Sequence, residues 1–168
     1  MAGRPDLVNG CPTPRSDQPW TRLAAEMEAC FTCEVNAGRV KAPGGTIYDD
    51  SLWLAEHGVD RLVQGYVVLK PLRHVHEVAD LTPDEAAALG PALSSLLSGM
   101  RTALNTERIY VCSFAETVLH LHFHLLPRYA NMPALGPHLV PDLFDGRWGC
   151  TLVEAEMAAD RIRSAISN

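Results

Sequence analysis

The segment HLHFHLLPR, residues 120–128, carries a histidine at every second position at its start. Side chains at i, i+2 and i+4 of a β-strand point to the same face, so a strand here would align His120, His122 and His124. The leucine and phenylalanine side chains between them would then point into the core. Imidazoles on one face can ligate a metal, transfer protons or attack phosphorus or acyl groups, and the spacing alone leaves these alternatives open.

A second group of potential ligands lies earlier in the chain. Cys30 and Cys33 in CFTC have the C-x-x-C spacing, which lets two thiolates bind one metal ion or form one redox pair. His74 follows a predicted strand. A zinc ion held by both cysteines, His74 and one histidine of the 120–128 segment would have four protein ligands, which is typical of a structural site.

The elements that must position these residues are predicted from periodicity and from proline, glycine and capping residues. Helices are predicted over 20–30, 81–104 and 151–166, strands over 51–57, 64–71, 108–114 and 118–126, a glycine-rich turn over 42–50 and a long loop over 127–149. The 81–104 helix has the clearest start, because Thr82 is a predicted N-cap, Pro83 fits the first turn and Glu85 completes a capping box. Its interior Gly90-Pro91 pair predicts a kink. This order of elements favours an α+β architecture in which helices cover an antiparallel sheet.

Length and composition limit the class of protein. The 168 residues suit one domain, which we assign to 21–168, preceded by a flexible extension over 1–20. The net charge of -6 and the scattered Lys and Arg residues argue against binding to a nucleic acid polymer. Since the sequence has neither an apolar run of about 18 residues nor a secretory signal, no membrane association is expected and the cytoplasm is the default compartment. The odd cysteine count of 5 fits a reducing compartment better than a disulfide framework.

Three motifs resemble those of one protein family. HLHFHLL resembles the His-x-His-x-His signature of the histidine-triad family of nucleotide hydrolases and transferases, CFTC resembles that family's N-terminal Cys-x-x-Cys, and GYVVLKPLRH resembles its strand ending in Pro-Lys-x-His. The motifs occur in the family's order over residues 30–128. The resemblance implies an antiparallel sheet of about five strands flanked by helices, and usually a homodimer.

The resemblance also implies a role for each histidine of the triad. His122 would be the nucleophile that attacks the α-phosphorus and forms a nucleotidyl-histidine, while His124 would contact the phosphate and help the leaving group to depart. His120 would complete the structural zinc site with the C-x-x-C pair and His74. A histidine nucleophile divides phosphoryl transfer into two steps and needs no divalent cation between the reacting atoms.

Two positions depart from the family pattern. Glu116 stands where the family usually has Gln, and a carboxylate repels a phosphate unless it is protonated or transfers a proton. Glu116 is therefore a candidate catalytic residue that alters substrate preference. In WLAEHGVD, where many members have an acidic residue or Asn for the ribose hydroxyls, Glu56 or His57 is the candidate for that contact. Thr117 is a candidate donor to a phosphate oxygen.

The sequence thus predicts an enzyme that hydrolyses or transfers the nucleotidyl group of nucleoside phosphoramidates, adenylated small molecules or dinucleoside polyphosphates. Zinc is its expected structural cofactor, and a small nucleotide substrate is its expected partner. Two alternatives stay open at this point. One is a hydrolase in which the three triad histidines hold a catalytic zinc ion, and the other is a non-catalytic nucleotide-binding protein.

Overall fold

Runs of strands are separated by helices along the part of the chain that the structure describes. In this computed structural model it covers residues 30–60 and 62–166, together with the backbone of two short strands before them. The strands are β1 (Leu7–Val8), β2 (Cys11–Pro12), β3 (Thr46–Asp49), β4 (Trp53–His57), β5 (Val67–Pro71), β6 (Arg108–Cys112) and β7 (Phe123–Arg128). The α-helices are α1 (Phe31–Asn36), α2 (Pro83–Leu104), α3 (Leu139–Phe144) and α4 (Leu152–Ile166), with 3₁₀ turns at Val78–Asp80 and Gly136–His138.

The larger sheet is antiparallel throughout. Its five strands lie in the order β3-β4-β5-β7-β6, and β1 and β2 form a separate pair. Helices α2 and α4 pack against each other over one face of the sheet. The predicted α+β fold, with about five antiparallel strands flanked by helices, is confirmed.

The face under α2 and α4 forms the main core. Trp53 and Ala55 of β4, Leu69 of β5 and Leu125 of β7 are fully buried there, and α2 contributes Leu96 among others. Because side chains alternate along a strand, the neighbours of these core residues point to the other face of the sheet.

That other face is covered in part by α1 and α3 and carries a cavity. Val68 and Lys70 alternate with the core residues of β5 and line the cavity, as does Tyr66 just before the strand. His124 of β7 pairs with Val68 and therefore lies on the same face. The sheet separates a packed apolar core from a face that carries polar side chains.

The predicted start of the long helix is confirmed. The backbone N–H of Glu85 donates to Thr82 Oγ1 at 3.2 Å, and the backbone N–H of Thr82 donates to Glu85 Oε2 at 2.8 Å, which together form the capping box. The helix then continues through Pro91 as far as Leu104.

The strand that contains the triad is displaced from its predicted position. The sequence predicts a strand over 118–126, but β7 is Phe123–Arg128, so the first two triad histidines lie in the segment that leads into it. Pairing between β5 and β7 stops at Leu69 opposite the first residue of β7. Two residues further, β5 ends at Pro71, which has no N–H with which to continue the ladder.

The predicted alternation of faces holds in spite of this displacement. Leu121 and Leu125 are buried in the main core and Phe123 packs against it, so the intervening histidines point away from the core. The strand also continues through Pro127, which the sequence places in a loop. Beyond Leu125, β7 pairs with β6 alone, and a strand with one unpaired side tolerates proline.

Two segments predicted as irregular contain regular structure. Thr46–Asp49, within the predicted turn 42–50, forms the edge strand β3, and the predicted loop 127–149 contains α3. Pro141 lies in the first turn of α3, where a proline removes no helical hydrogen bond. Proline content alone therefore did not exclude a helix. The predicted strands 51–57, 64–71 and 108–114 are present in shorter form.

The predicted helix over 20–30 and most of the predicted extension over 1–20 lie outside the described residues. None of the helices in the described residues combines the length and the hydrophobicity needed to cross a membrane.

Candidate functional site

Two cysteine thiols and two histidine rings meet where α1 approaches the end of β5. Cys33 Sγ lies 3.3 Å from His74 Nδ1 and 3.5 Å from His120 Nδ1, and Cys30 Sγ lies 3.6 Å from His120 Nδ1. All four ligand atoms are within 4.8 Å of one another. With metal–sulfur bonds of about 2.3 Å and metal–nitrogen bonds of about 2.0–2.1 Å, a tetrahedral site has sulfur–nitrogen edges of about 3.6 Å. The four residues therefore fit one tetrahedral metal ion.

The backbone around this site fixes the orientation of one ligand. His120 Nε2 donates to the carbonyl oxygen of Pro71 at 3.0 Å, so its Nδ1 keeps a lone pair directed at the thiols. Asn36 Nδ2 donates to the same carbonyl at 3.1 Å, which ties the end of α1 to the end of β5. Burial, followed by the neighbouring thiol, raises the pKa of Cys33 to about 11; a bound metal acts in the opposite direction, because it binds the thiolate.

In the second histidine of the triad, one ring nitrogen is fixed by a hydrogen bond, and the other has no hydrogen-bond partner among the described residues. His122 Nδ1 donates to the carbonyl oxygen of His120 at 2.6 Å. Burial lowers the pKa of His122, and the Asp60 carboxylate opposes part of that change. The ring is therefore neutral at physiological pH, and its Nε2 carries a lone pair at the wall of the cavity.

The third histidine is held by a tyrosine. The hydroxyl of Tyr66 lies 2.6 Å from His124 Nδ1. The ring centroids of His122 and His124 are 4.7 Å apart, and the rings of Phe114 and Phe144 lie 5.5 and 5.7 Å from that of His124. Burial, followed by the cost of charging two neighbouring imidazoles together, lowers the pKa of His124 to about 4, so this ring is also neutral.

Both neutral imidazoles face the same cavity. It has a volume of about 400 Å³ and is lined mainly by apolar side chains. Its apolar walls are formed by Phe31, Val35, Val59, Tyr66, Val68, Phe114, Ala115, Val118 and Phe144. A cavity of this size suits a small organic ligand, and the two imidazoles at its wall are its reactive groups.

Comparison with known proteins identifies the family. A family model of the HIT domain matches residues 39–131, which is more than half of the chain. The chain belongs to the HIT family. The Bacillus subtilis protein named hit is 25% identical over 114 residues, which cover 65% of this chain and 77% of that protein.

Solved structures support the fold assignment. A zinc-bound histidine triad family protein from Mycobacterium smegmatis is similar with a TM-score of 0.62 at 21% identity, over 83% of this chain and 94% of that chain. A hypothetical histidine triad nucleotide-binding protein from Sulfolobus tokodaii is similar with a TM-score of 0.65 at 16% identity, over 83% and 93%. HIT membership confirms the resemblance seen in the motifs and implies nucleotide-binding hydrolase or transferase activity.

The HIT motifs and the structure agree on which residues lie together. The four residues expected to ligate zinc, Cys30, Cys33, His74 and His120, form a metal-capable group. In the described part of the chain this group includes neither His122 nor His124. Since His120 Nδ1 faces the thiols and not the cavity, the geometry gives no support to a catalytic zinc held by all three triad histidines.

Of the residues expected to bind substrate, two line the cavity and one does not. His57 and Thr117 line the cavity. His57 Nδ1 donates to the backbone carbonyl of the next residue at 3.0 Å, while its buried Nε2 has no partner among the described residues. Glu56 is absent from the cavity lining, and its carboxylate accepts from Lys70 Nζ at 2.5 Å. Glu116 is exposed and lies outside the lining, although the residues on either side of it contribute to the wall.

Three polar residues of this HIT site were not predicted from the sequence. Asp60 lines the cavity. The sequence did indicate it, because Asp60 is the acidic residue at the end of WLAEHGVD, the segment in which a ribose contact was expected. Lys70 also lines the cavity and is 4% exposed; a single charge in the apolar run VVLKP was its only signal. Tyr66 gave none, since its contact with the triad depends on how β5 pairs with β7.

Proposed function

We propose that this protein hydrolyses or transfers nucleotidyl groups by way of a covalent intermediate on His122. The observation that carries the proposal is the hydrogen bond from His122 Nδ1 to the carbonyl of His120, at 2.6 Å. It fixes the ring as the tautomer whose Nε2 has a free lone pair, as a nitrogen nucleophile requires. Burial keeps that nitrogen unprotonated by lowering the pKa of the ring.

The proposed reaction has two steps. In the first, His122 Nε2 forms a bond to the α-phosphorus, the bond from phosphorus to the leaving group breaks, and the leaving group takes up a proton. In the second, water or another acceptor attacks the same phosphorus, loses a proton, and releases His122. His124 contacts the phosphate beside the nucleophile, since the two rings are 4.7 Å apart.

The proposed substrates are nucleoside phosphoramidates, adenylated small molecules and dinucleoside polyphosphates. The apolar cavity of about 400 Å³ suits the nucleoside part. We assign the sugar hydroxyls to His57 because this residue lines the cavity. Thr117 donates to a phosphate oxygen in this proposal, and Glu56 acts through Lys70, the cavity residue with which it pairs.

Glu116 keeps its proposed catalytic role as a proton-transfer group for the leaving group. It is flanked by Ala115 and Thr117, which both line the cavity. An exposed carboxylate at the rim can meet a leaving group that extends out of the cavity. A Glu116→Gln variant that keeps the full rate on every substrate would exclude this role.

We propose that the metal held by Cys30, Cys33, His74 and His120 is a structural zinc ion. Two thiolates and two imidazoles are a ligand set that zinc prefers, and four protein ligands leave no open position for substrate. Zinc at this place fixes the four side chains and the backbone near them. Reduced thiols fit the proposed cytoplasmic location.

A homodimer remains part of the proposal. Strand β6 is an edge of the sheet, and Val111 of this strand is exposed. A second copy of the chain would protect such an edge.

The deciding experiment is intact-mass spectrometry of the protein mixed with an adenosine phosphoramidate or its guanosine analogue and quenched without acid. We expect the wild-type protein to gain the mass of one nucleoside monophosphate and His122→Ala to gain nothing. His138→Ala, which changes an exposed histidine outside the cavity, should react like the wild type. Nucleotide binding with neither adduct nor turnover on either substrate would support the alternative of a non-catalytic nucleotide-binding protein.

A further inference from the structure

A buried tyrosine forms a hydrogen bond with the third histidine of the triad. Tyr66 is 1% exposed, and its hydroxyl lies 2.6 Å from His124 Nδ1. The two rings are nearly parallel, with centroids 5.9 Å apart and an interplanar angle of 24°. A hydroxyl in this position determines which nitrogen of His124 carries the proton.

The chemistry of the two groups gives the direction of the hydrogen bond. A phenol with a pKa of about 10 is a good donor, and a neutral imidazole nitrogen is a strong acceptor. Burial keeps His124 neutral by lowering its pKa to about 4. The favoured arrangement is therefore Tyr66 O–H donating to Nδ1, with the proton of the imidazole on Nε2.

We propose that Tyr66 is a positioning residue that holds His124 in the Nε2–H tautomer, so that His124 presents a fixed N–H donor to an oxygen of the transferred phosphate. This inference rests on the proposed function, because it assigns the bound group as a phosphate. Phosphoryl oxygens only accept hydrogen bonds, and the other tautomer would direct a lone pair at them. Stabilising the charge that develops on such oxygens accelerates phosphoryl transfer.

The surroundings of His124 agree with this assignment. Among the described residues Nε2 of His124 has no hydrogen-bond partner, and the residue lines the cavity. The rings of Phe114, Phe144 and His122 restrict the side chain, and among the described residues the hydroxyl of Tyr66 is the hydrogen-bond partner of Nδ1. Tyr66 is thus the group that selects the tautomer.

The test is nitrogen-15 NMR of the histidine rings in the nucleotide-free protein, combined with kinetics of Tyr66→Phe. In the wild type, we expect His124 Nδ1 to be unprotonated and Nε2 to be protonated, with the signals assigned from a His124→Asn variant. Tyr66→Phe keeps the ring and should populate both tautomers. Its kcat should fall about tenfold or more, while KM stays within about twofold.

Tyr129→Phe is the matched control. The hydroxyl of Tyr129 donates to the carbonyl of Gln64 at 2.7 Å, away from the triad. Removing it should lower stability without changing the tautomer of His124 or the ratio of kcat to KM. A general effect of losing a tyrosine hydroxyl is therefore separated from a change at His124.

The two proposals fail in distinguishable ways. A protonated Nδ1 in wild-type His124, or a Tyr66→Phe variant with unchanged tautomer and kcat, would overturn the role of Tyr66 whether or not His122 forms an adduct. If no substrate is turned over, affinity for a nucleoside 5′-monophosphate replaces kcat. The affinity should then fall in Tyr66→Phe and not in Tyr129→Phe.

Discussion

At the level of single residues, the three triad histidines have different hydrogen-bond partners. His120 Nε2 donates to a backbone carbonyl, which leaves Nδ1 for a metal. His122 donates through Nδ1 instead, to the carbonyl oxygen of His120, which leaves the lone pair on Nε2. The partner of His124 is the hydroxyl of Tyr66, and in the arrangement proposed above Nδ1 accepts from it, which leaves the proton on Nε2. In the proposed mechanism, the tautomer rather than the residue type therefore distinguishes the metal ligand, the nucleophile and the donor to phosphate.

Sequence spacing predicted which of these residues lie together, but it could not predict their partners. Alternation along one segment is a local property, so the common face of the three histidines could be predicted. The carbonyl of Pro71 lies at the end of β5, and the hydroxyl of Tyr66 belongs to the residue just before that strand. They reach the triad only through the pairing of β5 with β7, which no spacing within either strand specifies.

The buried pair of Lys70 and Glu56 allows a prediction at this scale. Their side chains are 4% and 9% exposed and 2.5 Å apart. Removing one partner leaves the other charge buried, so Lys70→Met should lower the free energy of unfolding by about 3–5 kcal/mol. The double variant Lys70→Met with Glu56→Leu should recover most of that loss. Urea unfolding of the wild type, both single variants and the double variant measures the coupling.

An exposed pair provides the control for that cycle. Arg147 lies 3.2 Å from Asp142, with the arginine side chain 58% exposed. Because solvent screens this pair, Arg147→Met should change stability by less than about 1 kcal/mol. If the stability losses of Lys70→Met and Glu56→Leu simply added in the double variant, Lys70 and Glu56 would not form a coupled buried pair.

At the level of elements, the start of α2 and the segment carrying His74 are joined by one carboxylate. Glu85 closes the capping box of α2, and Arg73 donates to its two oxygens at 2.9 and 2.7 Å. Trp53 Nε1 of β4 donates to the backbone carbonyl of Glu85 at 2.9 Å. The capping box was predictable from Thr82 and Glu85, whereas the ion pair was not, because it joins elements that only the sheet brings together.

The pH dependence of stability should report this carboxylate. Hydrogen bonds from Arg73 lower the pKa of Glu85 from 4.5 to about 2. A folded-state pKa below the unfolded value means that the folded protein binds fewer protons there. The contribution of Glu85 is therefore complete above about pH 5 and is lost as pH falls towards 2. The difference in urea midpoint between wild type and Glu85→Gln should be constant above that range and shrink below it.

The cap of α4 serves as the matched control for this measurement. Glu154 forms a similar box with Thr151, with contacts of 2.8 and 3.3 Å, and it is exposed. Glu154→Gln should lower the urea midpoint less than Glu85→Gln at neutral pH. Equal effects of the two variants would show that capping alone, without Arg73, accounts for the role of Glu85.

Other elements show where local patterns mislead. Residues 46–49 follow Gly44 and Gly45, and the sequence prediction extended the turn over them, yet they form the edge strand β3 by pairing with β4. In the 127–149 segment, proline and glycine content predicted a loop, but Leu139 and Leu143 are fully buried and anchor a short helix. Strand pairing in the first case and burial in the second therefore decided the structure over local composition.

At the level of the whole molecule, the metal group connects parts of the chain that are distant in sequence. Cys30 and His120 are 90 residues apart. Helix α1, which carries Cys33, contributes Phe31 and Val35 to the cavity wall. An ion at this site therefore stabilises both the fold and one wall of the cavity, although it does not face the substrate.

Removal of the metal is expected to destabilise the entire fold and not only one loop. Purified protein should contain one zinc ion per chain, and a chelator should lower Tm, because a ligand at about 100 times its Kd stabilises the native state by about 2.7 kcal/mol. Cys33→Ser should lose the metal and show a similarly low Tm, whereas Cys150→Ser, which changes a thiol outside the group, should keep both metal and Tm. His122→Ala should also keep the metal, since that ring is not a ligand. Zinc-free protein with an unchanged Tm, or a metal lost on replacing His122, would contradict a structural ion held by Cys30, Cys33, His74 and His120.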